Sequence, residues 1–362
     1  MAEGRPGTMG LQSFQVGAMK ITVVLQERLI CPHCRAPLYP LGESFVCKNC
    51  GNDYPVVGGI PILIDESACG FRISSYERRR ELTKAERAKR VFRRMLPAIS
   101  LNLAARRNYR QFREMLFRLN PRPRVLIVGG ATPGEGTREL LADERIEFVE
   151  SDIAIDERTT LVCDAHVLPF ADQTFDGVIF QGVIFYLHDY AGCISEMFRV
   201  LRPEGLIYSE SAFMEPVVGG EYDLYRFTLR GHEYQFRQFE RISSGISGGP
   251  AMATAWSIQY LLLSFTENAG IRAGIRIFCK CTLFWMKYLD LLLVRKRGAV
   301  DAAAGTFYMG RRPAEVVAPG DVTAPQRAEE KAAQEQTVQP EPTPVQVPQY
   351  QGLIQTDVRA YR

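Results

Sequence analysis

Four cysteines near the start of the chain have the spacing of a metal site. Cys31-Pro-His-Cys34 and Cys47-Lys-Asn-Cys50 are two C-x2-C pairs separated by 12 residues. Each pair presents two thiolates to one ion, and two pairs complete the sulfur tetrahedron that structural zinc prefers. Two redox C-x-x-C motifs are the alternative, but neither pair opens a thioredoxin-like helix. The spacing predicts structural Zn²⁺ bound by Cys31, Cys34, Cys47 and Cys50.

A glycine-rich turn after an apolar run is the second chemical feature. The run Val125-Leu-Ile-Val128 precedes the turn, whose small residues are Gly129, Gly130, Ala131 and Gly134. Glycine permits a tight turn and a close approach of the backbone to a ligand, and the next helix points its amides at that ligand. We therefore expect this turn to hold a nucleotide-type cofactor.

Polar residues follow the turn at positions that suit a nucleoside. Glu150 and Asp152 lie near the end of the next strand candidate, where a carboxylate accepts hydrogen bonds from both ribose hydroxyls. We favour Asp152 and keep Glu150 as the alternative. Asp164 is placed to accept the exocyclic amine of an adenine, and Ala165 to offer its backbone amide to the ring. Gln181, at the end of an apolar strand candidate, borders the same cleft.

A parallel sheet must bring these residues together. Residues 123–213 alternate strand-like and helix-like segments, which predicts a doubly wound, mostly parallel α/β sheet. Such sheets bind ligands at the carboxyl ends of their strands, so we expect the polar residues at one edge. The predicted organisation is a flexible arm (1–20), a zinc ribbon (25–65), a basic helical linker (70–120), the α/β domain (121–312) and a disordered tail rich in Pro, Gln and Glu (314–362).

Several short motifs in this order resemble the class I, seven-stranded S-adenosylmethionine-dependent methyltransferases. They are the glycine turn at 129–136, the acidic end of the second strand, Asp164-Ala165 with Leu168-Pro-Phe170, Thr174-Phe-Asp176 and Arg199–Gly205. The resemblance implies a Rossmann-like fold, S-adenosylmethionine as cofactor, Asp152 on its ribose, Asp164 at its adenine, and methyl transfer to a nucleophile. The chain departs from the family pattern at Ile127-Val128, which lack the usual acidic residue, at the additional Thr132-Pro133, and at Phe185-Tyr186 in place of Glu-His.

Candidates for acceptor binding or proton removal follow the fifth strand of the sheet. The segment Asp223–Thr228 resembles part of methyltransferases that act in glycan and lipid-sugar biosynthesis. We take His188, Asp223 and His232 as catalytic candidates, with Tyr222 and Arg226 as polar neighbours. The alternatives are a structural corner in which Arg226 pairs with Asp223, and a surface or helix-capping role for His188.

Residues 275–294 predict an amphipathic helix. Ile277, Cys281, Phe284, Tyr288 and Leu291 share one stripe, and Lys280, Lys287 and Asp290 interrupt the apolar run, which disfavours a membrane span. We expect the stripe to pack on the protein's own core, with contact at an anionic membrane surface as the alternative.

Three functions remain open at this stage. The first is a methyltransferase acting on a small-molecule, sugar or lipid- or glycan-linked acceptor. The second is an RNA methyltransferase, such as one acting on rRNA, with the basic residues of 72–120 on the nucleic acid. The third is a non-catalytic binding protein that keeps the cofactor fold. The net charge of +3 favours no partner, and without a recognisable signal peptide we expect a cytoplasmic protein, with peripheral membrane contact as a variant.

Overall fold

The computed structural model describes residues 19–76, 96–130, 134, 136–218 and 220–315. Within them one sheet has the strand order β1-β2-β3-β4-β7-β6-β5-β8-β9-β11-β10. The strands are β1 Leu38–Leu41, β2 Ser44–Cys47, β3 Asp53–Val57, β4 Ile60–Leu63, β5 Arg124–Val128, β6 Glu147–Asp152, β7 Leu161–Cys163, β8 Phe175–Gln181, β9 Leu201–Ala212, β10 Glu240–Gly248 and β11 Gly305–Arg311.

Helices cover this sheet and extend beyond it. The α-helices are α1 Val23–Gln26, α2 Ala105–Leu119, α3 Arg138–Leu141, α4 Tyr190–Val200, α5 Leu229–Gln235, α6 Pro250–Leu263, α7 Ala269–Leu283 and α8 Asp290–Leu293. Short 3-10 turns occur at Ile73–Tyr76, Ile184–Tyr186, Gly220–Tyr222, Met286–Tyr288 and Arg297–Ala299.

Seven strands form the α/β sheet that the sequence predicts. Strands β7, β6, β5, β8 and β9 are parallel, and β11 and β10 complete the sheet as antiparallel strands. Parallel strands are covered on both faces and therefore read as continuous apolar runs, as Val125-Leu-Ile-Val128 does in β5. The prediction of a mostly parallel, doubly wound methyltransferase sheet is confirmed.

The cysteine-bearing module extends that sheet instead of standing apart from it. Strand β4 pairs in parallel with β7, with Ile62 opposite Val162 and Leu63 opposite Cys163. Residue Ile30 also donates its backbone N–H to the carbonyl of Pro169. All four side chains of β4 are buried. Backbone pairing and apolar packing together join the ribbon to the edge of the α/β sheet.

The end of the predicted linker belongs to the α/β domain. Helix α2 buries Tyr109, Phe112 and Leu116 in one cluster with residues of the sheet. On its outer side Arg106 pairs with Glu139. The interpretation of residues 105–119 as linker is therefore wrong, because the apolar face of the helix closes one face of the sheet. The basic residues between positions 78 and 94 lie outside the described range, as do the predicted arm up to residue 18 and the tail from residue 316.

Two of the sequence motifs meet at the amino ends of the strands. The guanidinium of Arg202 lies 2.7 Å from the carboxylate of Asp176, which also accepts the backbone N–H of Arg124. This pairing holds β8, β9 and β5 together at the edge opposite the ligand-binding end. These motif residues therefore stabilise the sheet and do not line the cleft.

Candidate active site and metal centre

The four cysteines converge as the spacing predicts. Their sulfur atoms all lie within 4.8 Å of one another, with Cys31 to Cys50 at 3.6 Å and Cys34 to Cys47 at 3.4 Å. Metal–sulfur bonds of about 2.3 Å place the sulfurs of a tetrahedral zinc site about 3.8 Å apart. The donor set and its dimensions fit zinc.

The surroundings of the cluster shift the pKa values of its thiols in opposite directions. A side-chain hydrogen bond from Asn49, followed by a backbone one from Ala36, lowers the pKa of Cys34 to about 6. Burial raises the pKa of Cys31, whose sulfur lies 3.2 Å from the hydroxyl of Tyr54. A bound cation would favour ionisation of the buried thiol, because it compensates the charge that burial penalises.

The glycine turn lies at the carboxyl end of β5 and opens a first cleft. Gly129 and Gly130 both donate their N–H groups to the carbonyl of Ser151, which holds the turn against β6. Gly129 has φ +76°, and a Cβ there would lie 2.3 Å from Cγ2 of Val183. This close approach explains the glycine. The cleft of about 320 Å³ is lined by Gly129, Gly130, Gly134, Thr137, Glu150, Arg158 and Gln181, among others.

Sequence-predicted residues therefore meet at this edge. Gly134 contacts Gln181 so closely that a Cβ at that position would overlap the Gln181 side chain. Ala131, also predicted to hold the cofactor, lies outside the described residues.

The two candidate ribose carboxylates occupy different environments. Glu150 is buried in the first cleft and forms a two-point ion pair with Arg158. The sequence pattern did not predict a role for Arg158. Burial raises the pKa of Glu150, and the pair with Arg158 opposes that shift. Asp152, the last residue of β6, is half-buried and accepts the N–H of Ala154.

A second cleft lies beside the end of β7. Its open space is about 330 Å³, and its walls come from both the ribbon and the α/β domain: Pro32, Leu63, Asp65, Ala68, Cys69, Asp164, His166, Val167 and His188. The two clefts flank the carboxyl end of β6.

The adenine candidates lie at this second cleft. Asp164 accepts hydrogen bonds from both the backbone and the ring of His166. Although burial alone would raise the pKa of Asp164, these bonds lower it. Ala165 is buried beside it. The exposed His188 stacks on His166 with ring centroids 4.0 Å apart. This catalytic candidate therefore lies in the second cleft.

A buried polar network that the sequence did not reveal adjoins the first cleft. Glu210, near the end of β9, accepts hydrogen bonds from Asn102 and Gln181, each at 2.8 Å, and from the hydroxyl of Tyr208. Tyr109 donates to Gln181 from helix α2. Burial, followed by the charge of Glu210, raises the pKa of Tyr109 and Tyr208 well above the ordinary value. Both tyrosines therefore remain neutral donors. A single Glu in a strand gives no sequence signal for such a network.

The structure assigns Asp223 to a corner. Its carboxylate forms two hydrogen bonds with the Arg226 guanidinium and accepts the N–H of Val218. Arg226 also donates to the carbonyls of Glu215 and Pro216. Asp223 is thus a poor catalytic candidate, because its charge is compensated and its side chain is fully buried.

His232 is also structural. Its ring is fully buried and lies between the hydroxyls of Ser209, at 2.9 Å, and Thr306, at 3.0 Å. Burial lowers its pKa to about 3. A neutral, enclosed imidazole has no access to an acceptor, so the assignment of His232 as a catalytic candidate is wrong.

This burial predicts acid sensitivity of the fold. The unfolded state takes up a proton near pH 6.5 and the folded state only near pH 3, so the stability that neutral His232 contributes is present above pH 6.5 and lost as pH falls. Between pH 7.5 and pH 5 the loss amounts to about 2 kcal/mol of unfolding free energy. Denaturant titrations of the wild type and of His232→Gln should show a smaller loss in the variant; equal losses would contradict the assignment.

Part of the α/β domain is similar in sequence to known methyltransferases. Residues 138–209 match a family model described as a methyltransferase domain. A ubiquinone/menaquinone biosynthesis C-methyltransferase of Desulfotalea psychrophila is 34% identical over 83 residues, which are 23% of this chain and 30% of that protein. The chain thus spans about a third of the length of this relative.

Two further matches concern the ribbon and the fold. A UPF0434 protein of Vesicomyosocius okutanii is 42% identical over 48 residues, which are 13% of this chain and 81% of that protein. The structure of a putative sarcosine dimethylglycine methyltransferase from Galdieria sulphuraria aligns over 64% of this chain and 99% of its own, with 13% identity and a TM-score of 0.42.

Proposed function

We propose that this chain transfers a methyl group from S-adenosylmethionine to a small-molecule acceptor. The chain belongs to the class I S-adenosylmethionine-dependent methyltransferase family and carries a segment of the UPF0434 protein family. The observation that carries the proposal is the pair of clefts at the carboxyl edge of the sheet. They are bounded by the glycine turn, the carboxylates of β6 and the Asp164 loop, as the cofactor requires.

Each cofactor group has residues suited to it. Gly129, Gly130 and Gly134 leave room beside the cofactor, Asp152 or Glu150 accepts from the ribose hydroxyls, and Asp164 with Ala165 meets the adenine. The bound cofactor supplies an electrophilic methyl group. The protein's own part is to align the acceptor with it and exclude water, which accounts for much of the rate in such reactions.

We assign Glu210 and Gln181 to the acceptor side of the first cleft. Gln181 borders the cleft, and Glu210 fixes its amide while Tyr109 donates to its carbonyl oxygen. Glu210 is thus a positioning residue that acts through Gln181.

The acceptor is proposed to be apolar or lipid-linked. Aromatic rings form two groups near the loop that follows β9: Phe185 with Tyr186, and Tyr190 with Tyr225 and Phe227. A relative of part of this chain is a ubiquinone/menaquinone biosynthesis C-methyltransferase. An RNA acceptor is less favoured, because Arg106 and Arg113 of the basic region are neutralised by Glu139 and Asp143.

A transfer assay tests the proposal directly. The protein is incubated with methyl-labelled S-adenosylmethionine and cell extract, which is then separated into RNA, lipid, glycan and small polar fractions. We expect label in the lipid or small-molecule fraction. Gly129→Val serves as the inactive control, and Gly42→Val, also at positive φ but with no atom within 4 Å of its Cβ position, as its matched control. Label in RNA would favour the RNA alternative, and no cofactor binding by calorimetry would favour the non-catalytic one.

The ribose assignment gives a separate prediction. Asp152→Ala is expected to weaken S-adenosylmethionine binding at least about tenfold, or about 1.4 kcal/mol, because two hydroxyl hydrogen bonds are lost. Calorimetric titration measures it beside Glu150→Gln, with Glu157→Ala as the control in the neighbouring exposed loop. A loss confined to Glu150→Gln would transfer the role to Glu150. Unchanged affinity in both variants would refute the assignment.

A further inference from the structure

Residues 261–297, here called the apolar arm, expose an unusual number of large apolar side chains. The arm comprises the end of α6, all of α7, the 3-10 turn Met286–Tyr288, and α8. Among the described residues, 24 large hydrophobic side chains are exposed, and eleven of them lie in this arm: Leu261, Phe265, Ile271, Ile277, Phe278, Trp285, Tyr288, Leu289, Leu291, Leu292 and Leu293. Phe265 is 80% exposed and Leu292 72%. Such a concentration marks an interaction surface.

The fold uses only the inner side of the arm. Cys279 is buried with Ala255 and Ile99, and Ile275 and Leu283 pack beside them. The stripe that the sequence predicted for core packing is therefore wrongly assigned, since Ile277, Cys281, Tyr288 and Leu291 are all exposed. The exposed side of the arm remains available to a partner.

The charge of the arm indicates which partner. It contains seven basic residues, Arg272, Arg276, Lys280, Lys287, Arg295, Lys296 and Arg297, and two acidic ones, Glu267 and Asp290. Asp290 is buried and accepts the first amides of α6, so it does not offset the surface charge. No ion pair within the described residues involves Arg276, Arg295, Lys296 or Arg297.

We infer that the apolar arm docks on an anionic lipid bilayer. Helices that carry both exposed apolar side chains and basic residues suit the headgroup region, where the apolar groups enter the acyl boundary and the cations meet lipid phosphates. Among the described residues, no helix has both the length and the apolar character to cross a bilayer. The contact is therefore peripheral. It requires no cofactor and stands independently of methyl transfer.

The arm lies next to the loop that follows β9. Tyr260 of α6 donates to the carbonyl of Val217, and the exposed Met214, Val217 and Val218 continue the apolar surface. The same loop reaches the cleft region, where Leu224 donates to the carbonyl of Phe185. Docking would thus bring the loop to the bilayer. This consequence rests on the proposed function, because it would let a lipid-borne acceptor reach the site.

Vesicle co-sedimentation of the full chain tests the docking. The probes are vesicles of phosphatidylcholine alone and with about one third phosphatidylglycerol. We expect binding to the anionic vesicles only, weakened about tenfold or more when NaCl rises from about 0.1 M to about 0.5 M. Leu292→Asp should reduce binding at least about tenfold, and Arg295→Glu with Lys296→Glu likewise. Leu41→Asp, at a 66% exposed leucine of the ribbon, should bind like the wild type.

Three outcomes would overturn the inference. They are equal binding to neutral and anionic vesicles, absence of binding to both, and an equal loss in Leu41→Asp and Leu292→Asp. Light scattering after size exclusion adds a fourth: a wild-type dimer that Leu292→Asp converts to monomer, without vesicle binding, would assign the arm to a second copy of the chain. Cofactor binding, measured in parallel, separates these outcomes from failure of the proposed function.

Discussion

Replacing Cys34 with serine is expected to release the metal and to lower the unfolding free energy of the protein by several kcal/mol. Structural zinc contributes an apparent 10–16 kcal/mol in small peptides, roughly, and a four-sulfur site that loses one ligand retains little of it. The ribbon is too small to supply an equivalent apolar core. The effect should also reach beyond the ribbon, because β4 pairs with β7.

This coupling changes the expected behaviour of the cofactor site. Pro32, next to the proposed zinc ligand Cys31, lines the second cleft together with Asp65. We therefore expect Cys34→Ser to weaken S-adenosylmethionine binding as well, although the sequence alone suggested that binding would be largely spared. Elemental analysis, denaturant unfolding and calorimetry measure the three effects. Cys281→Ser, at an exposed thiol away from the cluster, is the control. Metal-free native protein, or unchanged stability of Cys34→Ser, would contradict the zinc assignment.

Replacing Glu210 with glutamine is expected to reduce methyl transfer about a hundredfold or more. The loss follows from the displaced Gln181 side chain, because a misplacement of about 1 Å near the reacting groups costs about a hundredfold in rate. The amide directs donor hydrogens at donors already present on Asn102, Gln181 or Tyr208, so Gln181 should lose its fixed orientation. Cofactor affinity should change far less, since Glu210 is not among the residues that line the first cleft.

A reciprocal variant separates charge placement from hydrogen bonding. In Gln181→Glu with Glu210→Gln, a carboxylate and an amide still face each other, but the charge has moved to position 181. If Glu210 only stabilises the fold, this double variant should recover both stability and turnover. If its charge is needed at position 210, stability should recover while kcat stays low and its pH profile shifts. Glu240→Gln, at an exposed glutamate, is the control; full activity of Glu210→Gln would remove its assigned role.

Local sequence chemistry predicted much of the site. The two C-x2-C pairs predicted the cysteine cluster, because a tight turn brings together two cysteines that have two residues between them. The glycine turn and Gln181 were expected at one edge because parallel strands end together. The sequence offered the pairing of Arg226 with Asp223 as an alternative, and the structure confirms it. By contrast, only packing showed that Ser209 and Thr306 enclose His232.

Sequence periodicity was less informative about exposure. The stripe through Ile277 and Leu291 has the spacing of a core-facing helix, yet those residues are exposed and Cys279 faces inward. An apolar stripe predicts that a face will be covered, but it does not specify what covers it. Whether the protein's own core covers such a face depends on where the neighbouring helices end.

The sequence by itself determined the elements of the protein: the cysteine pairs, the succession of strands along the chain and the glycine turn. These depend on residues close together in the chain, whose spacing has direct geometric consequences. The tertiary structure decided what joins distant segments, including β4 with β7, Arg158 with Glu150, and Asn102 and Gln181 with Glu210. Such contacts depend on register and packing between separate elements, which no short stretch of sequence encodes.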